Sequence, residues 1–100
     1  MFSRFRNRMN TAPPRHRLKH EGLRLSDLRP GEKARILEIG GSEQFRIRLM
    51  EMGLLLNDIV EVDKYAPLMD PMELIVKGYH LSLRRMDADK IAVELIERNE

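Results

Sequence analysis

The sequence predicts a mainly β domain: a small barrel of about five short strands with one α-helix inserted among them. Three observations carry this. The chain has 100 residues, which is room for one domain with a modest core. Between Leu23 and Ile96, five short runs alternate apolar and polar residues, and Gly, Pro and Asn punctuate them. Such runs bounded by turn residues read as strands. One segment alone carries an extended helical repeat, so the strand–helix alternation of a parallel sheet is missing. A small domain of short strands manages its edges by closing on itself.

The elements follow in order. Residues 25–28 read as one helical turn started by a capping-type Ser26. Arg29-Pro30-Gly31 then places Pro and Gly where a type II turn needs them. Residues 33–39 alternate as a strand, with Ala34, Ile36 and Glu38 on one face and Arg35, Leu37 and Ile39 on the other. Gly40-Gly41 breaks it. Ser42 is a natural N-cap, and Glu43 in the first turn complements the helix dipole. Phe45, Leu49 and Met52 recur at i, i+4, i+7, so the spacing predicts a helix over 42–52 ended by Gly53. Asn57 tolerates left-handed backbone. Residues 59–65 alternate Ile59, Glu61 and Asp63 against Val60, Val62 and Lys64. Two prolines make 66–71 a loop. Strands over 72–77 and 79–85 form a hairpin at Gly78, with Tyr79, Leu81 and Leu83 sharing a face. A helical turn over 86–90, capped by Asp87, leads to a last strand over 91–96.

Charge divides the chain near Gly22. Residues 1–20 hold Arg4, Arg6, Arg8, Arg15, Arg17 and Lys19 and no acid, a charge of +6. Residues 21–100 hold 12 basic and 16 acidic side chains, a charge of −4. The expected organisation is therefore a flexible basic arm over 1–22 and a folded domain over 23–97. An arm with so few apolar residues cannot offset its ordering entropy. The acidic body argues against a nucleic-acid platform, and two Tyr, three Phe and no Trp offer little for base stacking.

Several chemistries are excluded or unsupported. There is no cysteine, which removes disulfides, thiolate metal sites and cysteine nucleophiles. The longest apolar run, 52–56, is far short of the ~20 residues that cross a bilayer. The first 20 residues lack the apolar stretch of a secretory signal. His16 and His20 are spaced to share a helix face, but a third ligand would have to come from Glu21 or His80, and six nearby cations oppose a metal ion. Asp70 with Glu73, and Asp87 with Asp89, are pairs where a hard cation wants six or more oxygens or retained waters. Ser42 and Ser82 have no local His–acid partners, and His80 falls on the strand face opposite Tyr79, Leu81 and Leu83. Gly40-Gly41 lacks the pattern of a phosphate-cradling loop. No enzymatic activity, catalytic residue, cofactor or metal ligand is expected.

One feature points to a partner. Residues 52–56 (Met-Gly-Leu-Leu-Leu) and Pro67-Leu68-Met69 are more apolar than connecting loops require. If Leu54, Leu55, Leu56, Leu68 and Met69 meet on the surface, they form a patch of the kind that marks an interface. Methionines at 50, 52, 69 and 72 fit a core or an adaptable interface.

The order and spacing of five segments resembles the FeoA family of ferrous iron transport proteins. They are Leu25-Ser26-Asp27-Leu28-Arg29-Pro30-Gly31, Arg48-Leu49-Met50-Glu51-Met52-Gly53-Leu54, Asp70-Pro71, Gly78-Tyr79-His80-Leu81-Ser82-Leu83-Arg84 and Ala88-Asp89-Lys90-Ile91. The resemblance implies an SH3-like β-barrel with the helix after its first strand. It implies a small cytoplasmic protein, at most peripheral at the inner face of the membrane. It also implies accessory or regulatory work, with the barrel docking on the cytoplasmic part of the FeoB-type ferrous iron transporter and no established catalytic residues. The family's usual Pro-Gly after the helix end reads Leu56-Asn57 here, which replaces a rigid turn residue by an apolar one. The arm lies outside the resemblance. Its charge suits an anionic membrane surface. The alternative is a free-standing regulatory or nucleic-acid-binding module that uses the arm. Self-association through the apolar loops, and direct binding of ferrous iron despite the few ligands, complete the expectations.

Overall fold

The computed structural model describes residues 22–97. The strands are β1 (Lys33–Ile39), β2 (Ile59–Tyr65), β3 (Met72–Val76), β4 (Tyr79–Leu83) and β5 (Ile91–Glu97). The helices are α1 (Glu43–Glu51) between β1 and β2, and the single turn α2 (Arg85–Ala88) between β4 and β5. All pairings are antiparallel, in the order β4-β3-β2-β1-β5. The mainly β, SH3-like architecture with one inserted helix is as expected.

Closure differs from the expectation. The sheet is open: β4 and β5 are its two ends, not partners. The outer side of β5 instead receives the chain entering the domain. Arg24 bridges Ala92, and the Val93 N–H donates to the Leu23 carbonyl at 3.1 Å. That entry segment continues into a 3₁₀ turn, Leu25–Asp27, whose Leu25 is fully buried. The Asp27 carboxylate caps the turn by accepting the Arg24 N–H at 2.9 Å. Ser26, expected as the cap, is buried and its hydroxyl donates to Asp89 at 3.1 Å.

The alternation sets the core. Ala34, Ile36, Val60, Val62, Met72, Leu74, Val76 and Ile91 are all fully buried and pack with Phe45 and Leu49 of α1. Burying a side chain of this size is worth roughly 1.5–3 kcal/mol. Three shifts interrupt the register, two in the β1–β5 pairing and one between Val62 and Lys64, where β2 holds one residue more than β3 opposite it. The strict alternation predicted Lys64 on the Val60–Val62 face. The extra residue reverses the phase, so Lys64 is exposed and Tyr65 packs against the core.

The turns follow their residue types. The Glu32 N–H donates to the Arg29 carbonyl at 3.0 Å around Pro30-Gly31. β3 ends one residue early, because Lys77 (φ +51°) and Gly78 (φ +86°) form the two-residue hairpin turn that suits twisted strands. β4 ends at Leu83, two residues short of the expected 85. Asp87 is inside α2 rather than capping it, and its carboxylate faces Arg48 at 3.5 Å and Lys90 at 3.7 Å. The N–H of Arg85, at the start of α2, donates to the Asp70 carboxylate at 3.0 Å. A cap taken from fifteen residues away leaves no local sequence signal.

Candidate interaction surfaces

The first surface begins where α1 stops. The Ser42 hydroxyl accepts the Phe45 N–H at 3.0 Å and opens the helix. At the other end Gly53 has φ +94°. The Gly53 N–H donates to Met50 and the Leu54 N–H to Leu49, each at 2.9 Å. This is the Schellman ending, in which apolar residues on either side of the glycine meet. Leu49 and Leu54 are both fully buried. Leu54 is therefore core and cannot line a surface, which corrects its place in the expected patch.

Gly53 is needed for space as well as for φ. A Cβ there would lie 2.1 Å from the Tyr79 hydroxyl, which donates to the Met52 carbonyl at 2.9 Å. The Lys77 ammonium donates to the Gly53 carbonyl at 3.3 Å and faces Asp58 at 3.2 Å. Asp58 in turn accepts the Leu55 N–H at 2.8 Å. The β3–β4 hairpin thus grips the segment that follows the helix.

What it grips is a turn with Leu56 and Asn57 at its centre. The Asp58 N–H donates to the Leu55 carbonyl, and Asn57 has φ +72°, as the third position of a type II turn requires. Asn57 supplies left-handed backbone at a position where Gly is the usual choice. Backbone hydrogen bonds to Ile36 at both Asn57 and Asp58 tie the turn to β1. Leu55 and Leu56 project outward, 42% and 55% exposed. Met50, on the last turn of α1, is also exposed. The sequence reading left Met50 between core and interface; its place opposite Phe45 and Leu49 on the helical wheel was the available signal.

The second surface is at the other end of β2. Leu68 and Met69 follow Tyr65, whereas Leu55 and Leu56 precede Ile59, so the length of β2, about 20 Å at 3.3 Å per residue, separates them. The expected single patch is two. Leu68 is 96% exposed, and both Leu68 and Met69 have positive φ, +69° and +71°. Neither residue type favours that region, which costs roughly 1–2 kcal/mol per residue. Tertiary contacts hold the loop there. The Ala66 N–H donates to the Pro71 carbonyl, the Met69 N–H to the Ala66 carbonyl, and Asp70 is engaged by α2.

Met69 borders a groove of about 590 Å³ whose walls include Leu28, Arg29, Lys64, Tyr65 and Arg85. The Tyr65 hydroxyl donates to the Leu28 carbonyl, and the Arg85 guanidinium sits 5.4 Å from the Tyr65 ring centre. Burial pushes the Tyr65 phenol above its ordinary pKa, with the positive charge of Arg85 acting against this.

The remaining candidates are structural. Ser42 caps α1, and the Ser82 hydroxyl donates to Glu73 at 2.9 Å. His80 is exposed on β4. Among the described residues, no group of three or more His, Asp or Glu side chains could hold a metal ion. His16, His20, Glu21 and the basic arm lie outside the described residues. No helix among the described residues is long and apolar enough to cross a membrane.

An open five-stranded antiparallel sheet with one inserted helix and two apolar loop tips defines a small SH3-like domain. The FeoA domain model matches residues 23–95, and the chain belongs to the FeoA family. A curated relative, the Fe(2+) transport protein A/Fe(2+) transporter FeoB fusion protein of Porphyromonas gingivalis, is 44% identical over 77 residues. That match takes in 77% of this chain but 9% of the fusion protein. Among solved structures, the FeoA protein from Chlorobium tepidum is 33% identical with a TM-score of 0.71, covering 78% of this chain and 74% of that one. The FeoA-like protein from Clostridium acetobutylicum is 28% identical with a TM-score of 0.72, covering 81% and 94%.

Proposed function

We propose that this chain works in ferrous iron uptake as a non-catalytic accessory module in the cytoplasm, docking on the cytoplasmic part of a FeoB-type transporter. The observation that carries this is the fusion relative, in which a domain 44% identical to this one shares a polypeptide with the transporter. Two domains joined in one chain meet at a high effective concentration. Without such a link, a domain needs a contact surface to reach the same arrangement. Leu55 and Leu56 are the best-supported centre for that surface. They are exposed, apolar and held on a braced turn, and rigid presentation lowers the entropy cost of binding.

The test is capture of the transporter from detergent-solubilised membranes of the source cells, with the full chain as bait. Leu55→Asp and Leu56→Asp are expected to lower recovery by about tenfold each, equivalent to ~1.4 kcal/mol, with thermal unfolding unchanged. Normal recovery by both variants would move the contact elsewhere on the domain.

A further inference from the structure

We propose that the loop tip at Leu68 and Met69 is a membrane-contact site, placing its apolar side chains in the headgroup layer of an anionic bilayer. The inference does not rest on docking at Leu55 and Leu56, which lie at the opposite end of β2.

The first argument is the state of the tip. Leu68 is 96% exposed, on backbone that leucine disfavours. Leaving it there forgoes burial and adds strain. The loop is nonetheless closed by its own hydrogen bonds and fastened to α2 through Asp70 and Arg85. Next to that fastening, Met86 is 70% exposed. Three apolar side chains on two linked elements therefore stand in water.

The second argument is charge. Arg29 and Lys64 line the groove beside Met69, and Arg84 precedes α2; all three are exposed. None forms an ion pair among the described residues, whereas Arg35, Arg48, Lys77 and Lys90 do. Of the neighbouring carboxylates, Asp27 accepts the Arg24 N–H, Glu32 the Arg29 N–H, Asp70 the Arg85 N–H, Asp89 the Ser26 hydroxyl and Glu73, the register partner of Lys64, the Ser82 hydroxyl, while Asp63 is exposed. Apolar tips among exposed cations match the interface of an anionic bilayer, where buried apolar area and attraction to lipid charge act together.

The test is flotation of the full chain with vesicles of phosphatidylcholine alone or mixed with phosphatidylglycerol. The chain is expected to float with the anionic vesicles only. Leu68→Asn, which keeps a residue tolerant of positive φ, is expected to lower partitioning by about tenfold. Lys64→Glu with Arg29→Glu is expected to lower it further and to flatten the salt dependence. Leu55→Asp is expected to leave it unchanged. No binding to anionic vesicles overturns the proposal. So does wild-type binding by Leu68→Asn, which would assign any membrane affinity to residues 1–20. Loss of transporter capture by Leu68→Asn with vesicle binding intact would make the tip a protein contact and equally overturn it.

Discussion

The two loops at the ends of β2 solve one problem in different ways. Each turns the chain with left-handed backbone. At 53–58 the positive φ values fall on Gly53 and Asn57, residue types that accept them. At 66–71 they fall on Leu68 and Met69, which do not. The first loop's shape follows from its local residues, and the hairpin then braces it. The second loop's shape is imposed by contacts with Pro71 and α2. A conformation held against local preference is kept by something else, and here the result is an exposed leucine.

Substitutions can break or sharpen this contrast. The largest effect is expected at Leu54, the buried side of the first loop. Leu54→Ala should cost about 2–5 kcal/mol in denaturant unfolding, while Leu55→Ala changes stability by less than about 0.5 kcal/mol. Similar values for the two would return Leu54 to the surface. Gly53→Ala comes next, at about 2–3 kcal/mol, from the left-handed φ and the displaced Tyr79 hydroxyl. Gly53→Ala combined with Tyr79→Phe should recover part of that loss in thermal unfolding.

Tyr65→Phe, beside the second loop, should cost about 1 kcal/mol by orphaning the Leu28 carbonyl. Its pH dependence has a definite sign. The phenol's pKa is raised on folding, so the unfolded chain loses this proton first. The stability this raised pKa contributes is fully present below the ordinary tyrosine pKa and is lost as pH rises through the raised one. The gap between wild type and Tyr65→Phe should therefore narrow in unfolding curves taken above about pH 10. Last, Leu68→Gly should raise stability by about 0.5 kcal/mol, since relief of strain slightly exceeds glycine's entropy cost. The same change at Asn57 should be near neutral. A large loss at Leu68 would show its side chain to be packed.

Much of the fold was legible because it depends on periodicity and punctuation. The alternation in β1 and β3, the Ser42 cap, the Gly53 ending and the left-handed Asn57 each follow from residues within one turn of each other. The departures depend on distant residues. The bulge at Lys64 reflects pairing with β3, and the start of α2 is satisfied by Asp70 from another loop. The candidate surface was half legible. Leu55 and Leu56 could be named from excess apolarity, yet composition has no means to tell them from buried Leu54, because the helix ending turns only Leu54 inward.

The sequence by itself determined a small mainly β domain, its helix and the turns that shape it, and the separation of a basic segment from an acidic body. These are set by local backbone preference and by charge counts, which need no knowledge of long-range contacts. Tertiary structure alone decided that the sheet stays open, that Tyr65 packs inward while Lys64 does not, and that two apolar loops face opposite ends. Those outcomes depend on strand register, and register is chosen by the whole core at once, since a slip of one residue reverses every side chain beyond it.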